Sequence, residues 1–164
     1  MKRIVIFGNS GSGKSTLAKR IAQDPAVYHL DLDTLAWETP GVRKEVTESV
    51  AELREFLSEY DQWVIEGCYG SLLEEAMKTA SEVLFLNPGV DACQENCRSR
   101  PWEPHKYPSK QAQDANLEML LNWVADYETR TDEFSLSAHQ ELFASVEGNK
   151  RMVASNQEAR ELLA

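Results

Sequence analysis

Gly8-Asn9-Ser10-Gly11-Ser12-Gly13-Lys14-Ser15-Thr16 is the stretch on which the reading of this chain turns. Residues without a Cβ reach positive φ at no steric cost, so a glycine-rich run lets successive backbone N–H groups turn inward on one anion. Lys14 can then reach the β- and γ-phosphates of a nucleoside triphosphate, and the Ser15 hydroxyl can ligate Mg²⁺. The helix that begins there points the positive end of its dipole at the same charge. The pattern G-x-x-x-x-G-K-[ST] should recur by chance in roughly one chain of this size in a hundred, so its context decides. Ile4-Val5-Ile6-Phe7 reads as a buried parallel strand before the loop. Leu17, Ala18, Ile21 and Ala22 share one face of a helix after it. Strand, loop and helix are all present, and Gly8 to Thr16 are assigned as the residues that bind ATP.

The chain has 164 residues, a length that suits one domain over 1–164. Its formal net charge of −10 excludes a long nucleic acid as partner, because such binding rests on many Lys and Arg contacts to phosphate. A small phosphorylated ligand stays compatible, since a few local cations act at short range. No apolar run is long enough to span a membrane, and Met1-Lys2-Arg3 leads straight into the first strand, leaving no room for a signal peptide. A cytoplasmic protein is expected. The 3 cysteines, with Cys93 and Cys97 one helical turn apart, fit reduced thiols better than a disulfide framework.

Val27 to Leu30 reads as the second strand, running into Asp31-Leu32-Asp33-Thr34. Ligands of open parallel sheets bind beyond the carboxyl ends of the strands, so this acidic pair is expected to face the phosphate loop. In an extended segment, alternation sets Asp31 and Asp33 on one side. Asp31 then suits a Mg²⁺-bound water, and Asp33 suits the proton of a hydroxyl attacking the γ-phosphate. A polar segment from Glu38 to Lys44, with Pro40-Gly41, precedes a helix from about Thr47 to Tyr60. Together these make an acceptor-side insertion over about 34–61, with Arg43 and Lys44 as its candidate anion contacts. Trp63-Val64-Ile65 is the third strand. Glu66 closes it in the position of a carboxylate that orients Mg²⁺ water or substrate, and Tyr69 is a candidate wall of the acceptor pocket. A helix from about Ser71 to Ala80 leads to the fourth strand, Val83 to Leu86.

A helix from about Val90 to Cys97 opens into Arg98-Ser99-Arg100-Pro101-Trp102-Glu103-Pro104-His105-Lys106-Tyr107-Pro108, a stiff and locally cationic loop in an acidic protein. It reads as a lid over about 98–110. Phosphoryl transfer spreads negative charge over the migrating group, and Arg98 and Arg100 are the expected lid cations to stabilise it. His105 reads as a loop residue rather than a base. The longest helix is expected from Gln111 to Thr129, with Leu117, Leu120, Leu121, Val124 and Tyr127 inward. A further helix over Ser135 to Val146, a short fifth strand over Lys150 to Ala154 and a last helix complete the chain. The Ser155-Asn156 turn is expected beside the phosphate loop, against the base.

Alternating strands and helices behind this first loop resemble the P-loop small-molecule kinases, the group that includes adenylate, shikimate and gluconate kinases. That resemblance implies a three-layer α/β P-loop NTPase fold, a five-stranded parallel sheet of order 2-3-1-4-5 with helices on both faces and a short lid. Asp31-Leu32-Asp33 is similar to the D-x-D of shikimate kinases, whose second Asp contacts the acceptor hydroxyl. More narrowly, His29-Leu30-Asp31, Trp37 and Trp63 to Tyr69 resemble the adenylate-kinase-related topology modulation (FlaR-like) proteins. The chain departs from shikimate kinases in having Glu66-Gly67-Cys68-Tyr69 where they carry a glycine triplet. It departs from adenylate kinases in offering little beyond Arg43 where they are rich in arginine.

The expected function is transfer of the γ-phosphoryl of Mg-ATP to a small hydroxylated or phosphorylated metabolite. Lys14, Asp33, Arg98 and Arg100 carry the chemistry in this reading. Ser15, Asp31 and Glu66 serve the metal, and Asp33, Glu66, Tyr69 and Arg43 the acceptor. The alternatives are a nucleotide-dependent regulatory protein and a slow NTP hydrolase without an acceptor. Oligomeric state is not legible.

Overall fold

A computed structural model describes residues 1–39 and 41–163. Pro40, half of the Pro40-Gly41 turn read from the sequence, lies outside the described residues, as does Ala164.

Five strands form one parallel sheet: β1 (Arg3–Gly8), β2 (Tyr28–Asp31), β5 (Trp63–Gly67), β6 (Glu82–Leu86) and β7 (Lys150–Val153). Their spatial order is β2-β5-β1-β6-β7, the 2-3-1-4-5 order that the kinase resemblance implies. The central strands are largely apolar because both faces are covered, with Glu66 on β5 as the buried exception. On one face α3 (Val46–Glu59), α4 (Gly70–Met77) and α8 (Leu136–Ser145) close a core that includes Phe7, Leu53, Trp63, Leu72 and Phe85. On the other, α1 (Lys14–Ile21) and α9 (Asn156–Leu163) pack on Ile4, Ile6, Val64 and Leu84. A satellite cluster of Cys93, Cys97 and Val124 joins α5 (Val90–Arg98) to α7 (Leu117–Ala125).

Two expectations need correction, and a third gains detail. The polar segment from Glu38 to Lys44 carries secondary structure of its own. A short helix α2 (Asp33–Ala36) runs into an antiparallel hairpin of β3 (Trp37–Thr39) and β4 (Val42–Arg43). The helix expected over 111–129 is broken into α6 (Lys110–Ala115), α7 and a 3-10 turn (Asp126–Glu128), so α3, with 14 residues, is longer than any of its pieces. The break falls at Asn116, whose amide donates to the Tyr107 hydroxyl at 2.8 Å and so ties the bend to the lid. Asp31 and Asp33 do not alternate along one strand, because the chain turns between them and the Asp33 N–H donates to Asp31 Oδ1 at 2.9 Å.

Among the described residues no helix is long and apolar enough to cross a membrane.

Candidate active site

Between β1 and α1 the chain makes a cradle of backbone amides. Gly11 has φ +78°, and a Cβ there would lie 2.3 Å from the Cys93 carbonyl oxygen and 2.7 Å from Cys97 Sγ. The loop therefore packs directly on α5, which only glycine allows. Gly13, at φ +96°, is the N-cap of α1, and no side chain caps that helix. Its first-turn N–H groups remain free for an anion. Lys14 Nζ donates to the Asn9 carbonyl oxygen at 2.7 Å, curled over the loop. Ser12 Oγ is buried without a partner on the same wall. A buried hydroxyl left unsatisfied costs about 1–3 kcal/mol, so this cradle fits a ligand rich in oxygen.

Asp31 and Glu66 sit side by side in register on β2 and β5. Glu66 Oε1 accepts from Ser15 Oγ at 2.8 Å, and His29 Nε2 lies 3.3 Å from the same oxygen. Burial pushes the Glu66 carboxyl up, but the His29 hydrogen bond, the Lys14 charge and the Ser15 hydroxyl outweigh it and hold it below the ordinary range. Asp31 goes the other way. Burial raises it, and the neighbouring charges of Glu66 and Asp33 raise it further. Asp33 is held low, because the charge and hydrogen bond of Lys106, with the Tyr69 hydroxyl, overcome its burial. Neighbouring carboxylates thus differ in how readily they protonate, which suits separate roles.

Ser15, Glu66 and Asp31 border the cleft together with the cradle. That set fits Mg²⁺, which takes one or two protein oxygens and fills its octahedron with phosphate oxygens and water. Among the described residues no group of three or more His, Cys, Asp or Glu side chains is arranged to hold a metal by itself.

The lid crosses the opposite wall. Its path is fixed by Gln113, which donates to the Pro101 carbonyl at 3.0 Å and accepts from the Glu103 N–H at 2.8 Å. Trp102 Nε1 closes the loop on the Tyr107 carbonyl at 3.0 Å. Arg100 faces the cleft, with its Nε 3.6 Å from Glu103 Oε1. Arg98 does not. It is exposed at the end of α5 and borders a separate small hollow with Tyr107, Lys110 and Asp114. Arg100 borders that hollow as well, so of the two arginines read as a pair from the sequence only Arg100 also reaches the cleft. The cation that does reach the carboxylates is Lys106, with Nζ 2.7 Å from Asp33 Oδ2 and 3.5 Å from Asp31 Oδ2. His105 Nε2 stands 3.9 Å from Asp31 Oδ2. Burial alone would lower the Lys106 ammonium, but Asp33 and Asp31 raise it above its ordinary value.

Cradle, carboxylates and lid enclose a cleft of about 530 Å³, room for a nucleotide with a small metabolite. Asn156, half of the turn expected after the fifth strand, opens α9 and lines the cleft with Arg160. Tyr69 and Arg43 stand behind Asp33 rather than on the cleft wall. The Tyr69 hydroxyl donates to Asp33 Oδ1 and accepts from Trp37 Nε1, the latter at 3.1 Å. The Arg43 guanidinium lies 4.7 Å from the Tyr69 ring centre and 5.8 Å from that of Phe134, with its Nε buried and unpartnered. Lys44 is paired with Glu52 at 2.6 Å, which satisfies its charge within the protein.

A further group escaped the sequence reading. His139 is fully buried. Its Nε2 donates to the Cys68 carbonyl at 2.9 Å, which leaves Nδ1 to accept from the Tyr127 hydroxyl at 2.7 Å. The strand-end loop that carries Tyr69 is held from behind by this pair. Nothing local in the sequence around position 139 signals it.

Comparison with known proteins agrees with this geometry. The family model described as AAA domain matches residues 4–133. No curated protein sequence matches the chain. Among solved structures, shikimate kinase from Acinetobacter baumannii in complex with shikimate is similar at 20% identity and a TM-score of 0.59, over 99% of this chain and 89% of that one. A gluconokinase from Sinorhizobium meliloti is similar at 19% identity and a TM-score of 0.56, over 99% and 91%. A sugar kinase from Janibacter is similar at 12% identity and a TM-score of 0.54, over 99% and 90%. At these identities the likeness is one of fold.

Proposed function

The chain belongs to the AAA domain family, and from that premise we propose that it is a small-molecule kinase, transferring the γ-phosphoryl group of Mg-ATP to a small hydroxylated or phosphorylated metabolite. One observation carries the reading: the glycine cradle with Lys14 and the carboxylates Asp31, Asp33 and Glu66 border a single cleft. A phosphate-binding loop alone serves many purposes. A carboxylate held ionised across the cleft from it is what transfer to a hydroxyl requires.

The amides of Gly8 to Thr16 and Lys14 hold the triphosphate. Ser15, with Glu66 and Asp31, would hold Mg²⁺ and its waters, which would supply charge neutralisation for the phosphates. Asp33 takes the proton of the acceptor hydroxyl while that oxygen bonds to the γ-phosphorus and the β–γ bridging oxygen leaves with ADP. Arg100 steadies the charge on the migrating group. Tyr69 positions Asp33 through its hydroxyl, and Arg43 supplies a fixed cation on that side. His29 and Trp37, quoted for the narrower likeness to topology modulation proteins, hydrogen-bond to Glu66 and to Tyr69 and so stand behind the metal and base carboxylates. The unit is taken as one domain over 1–164 in the cytoplasm, with an acceptor-side insertion at about 34–61 and a lid at about 98–110.

The test is a screen of hydroxylated and phosphorylated metabolites for stimulated ADP release. One compound class should raise release well above the basal rate, and Lys14→Ala should abolish it while the protein remains folded. If every metabolite leaves the rate at its basal level, the kinase reading falls and slow hydrolysis or nucleotide-dependent regulation takes its place.

A further inference from the structure

Both oxygens of the Asp33 carboxylate are engaged. Oδ1 accepts from the Tyr69 hydroxyl, and Oδ2 lies 2.7 Å from Lys106 Nζ. The same ammonium is 3.5 Å from Asp31 and 3.8 Å from Glu103 Oε2. A carboxylate ion-paired in this way is a weaker acceptor for the proton of a hydroxyl, because the adjoining ammonium stabilises its ionised form, although each oxygen keeps a lone pair open. The lid therefore sits in a state in which the assigned base is paired with a lid cation. Lys106 also lines the cleft that Lys14 borders, so a triphosphate bound in the cradle competes with Asp33 for the lid cation.

We propose that Lys106 is a catalytic residue that exchanges counter-ions, leaving Asp33 for the phosphates of the bound nucleotide, so that nucleotide loading is what frees Asp33 to act as the base. The inference rests on the kinase reading above. Lysine suits the exchange better than arginine. Its ammonium is a point charge on a flexible stem, whereas a guanidinium would lock onto the carboxylate through two parallel bonds. The loop itself has little need to move. Its backbone is anchored through Gln113 at Pro101 and Glu103, and Tyr107 is held by Asn116. Only the Lys106 side chain must swing. A consequence is that Asp33 and the nucleotide oppose one another through Lys106, a coupling that binding measurements read without any turnover.

The experiment is a double-mutant cycle in Mg-ATP affinity, measured by calorimetry on the wild type, Asp33→Asn, Lys106→Gln and the double variant, each checked for fold by circular dichroism. Removing the Asp33 charge relieves general repulsion of the nucleotide in either background, and that part cancels in the cycle. Only the release of Lys106 is specific to the background that retains it. Asp33→Asn should tighten Mg-ATP about tenfold with Lys106 present and by less than about threefold in Lys106→Gln. Should the glutamine variant fold poorly, Lys106→Met completes the same cycle. Equal tightening in both backgrounds overturns the exchange and leaves the kinase reading standing. No heat from Mg-ATP with the wild type overturns both.

Discussion

His139 gives the fold a specific weakness to acid. It is fully buried, T-shaped against the Phe7 ring at 5.4 Å, and bonded on both ring nitrogens. Because the Cys68 carbonyl can only accept, Nε2 must carry the hydrogen, and Nδ1 must be the bare lone pair that receives the Tyr127 hydroxyl. A proton arriving at Nδ1 ends its acceptance from the Tyr127 hydroxyl, which must turn to accept, and buries a charge. Burial, reinforced by the Lys14 and Arg130 charges, accordingly pushes the imidazole down from 6.5 to about 4 despite its bond to Cys68. The unfolded chain takes up the proton near 6.5, so between these values unfolding binds a proton that the native state refuses. The stabilisation is fully present above 6.5 and is lost as pH falls towards 4. The whole difference amounts to about 3 kcal/mol, of which about 2 kcal/mol should disappear between pH 7 and pH 5. Urea unfolding followed by circular dichroism at several pH values, on wild type and His139→Gln, isolates this from the other titrating groups. The variant should be less stable by about 1–3 kcal/mol at pH 7, and the gap should close as pH falls. Parallel pH profiles for the two proteins would refute the neutral, doubly bonded histidine.

Gly11→Ala places a Cβ against the Cys93 backbone oxygen, which cannot yield, and should cost about 2–5 kcal/mol from strain and overpacking together. Gly13→Ala has the same kind of φ but open space around it, so it should cost about 1–2 kcal/mol; thermal melts that reverse this order contradict the described packing. Arg100→Ala should lower kcat at least tenfold with the acceptor found by screening, whereas Arg98→Ala, outside the cleft, should stay within about twofold; steady-state kinetics giving the reverse would restore Arg98 as the lid cation. Tyr69→Phe removes the hydroxyl that joins Trp37 to Asp33, which should shift tryptophan emission and lower kcat more than it raises KM. Unchanged emission and kinetics would remove Tyr69 from the positioning of Asp33.

What was legible in the sequence and what was not divide along sequence distance. Gly8 to Ser15 could be read because its chemistry is local: strand, turn and helix signals lie within one short run, and the glycines are required by backbone geometry alone. Sheet order followed from the kinase resemblance, since parallel strands joined by right-handed crossovers leave few arrangements. Asp31 and Asp33 were placed on one side for the wrong reason. Alternation along a strand was assumed, yet the pair converges because a turn closes between them and a lysine some seventy residues on draws both in. That lysine shows where local reading stops. Arg98, Arg100, His105 and Lys106 all belong to one cationic loop, and mechanism favours arginine for a migrating phosphoryl group. Which of the four meets Asp33 depends on how Pro101 to Pro108 is laid over the cleft. That path is set by Gln113 and Asn116, at the break in a helix that a continuous apolar stripe had made to look whole. The contacts at the break that spoiled the helix assignment thus hold the loop that brings Lys106 to the base. A loop cation can be assigned from sequence only when the contacts that steer its loop are themselves local.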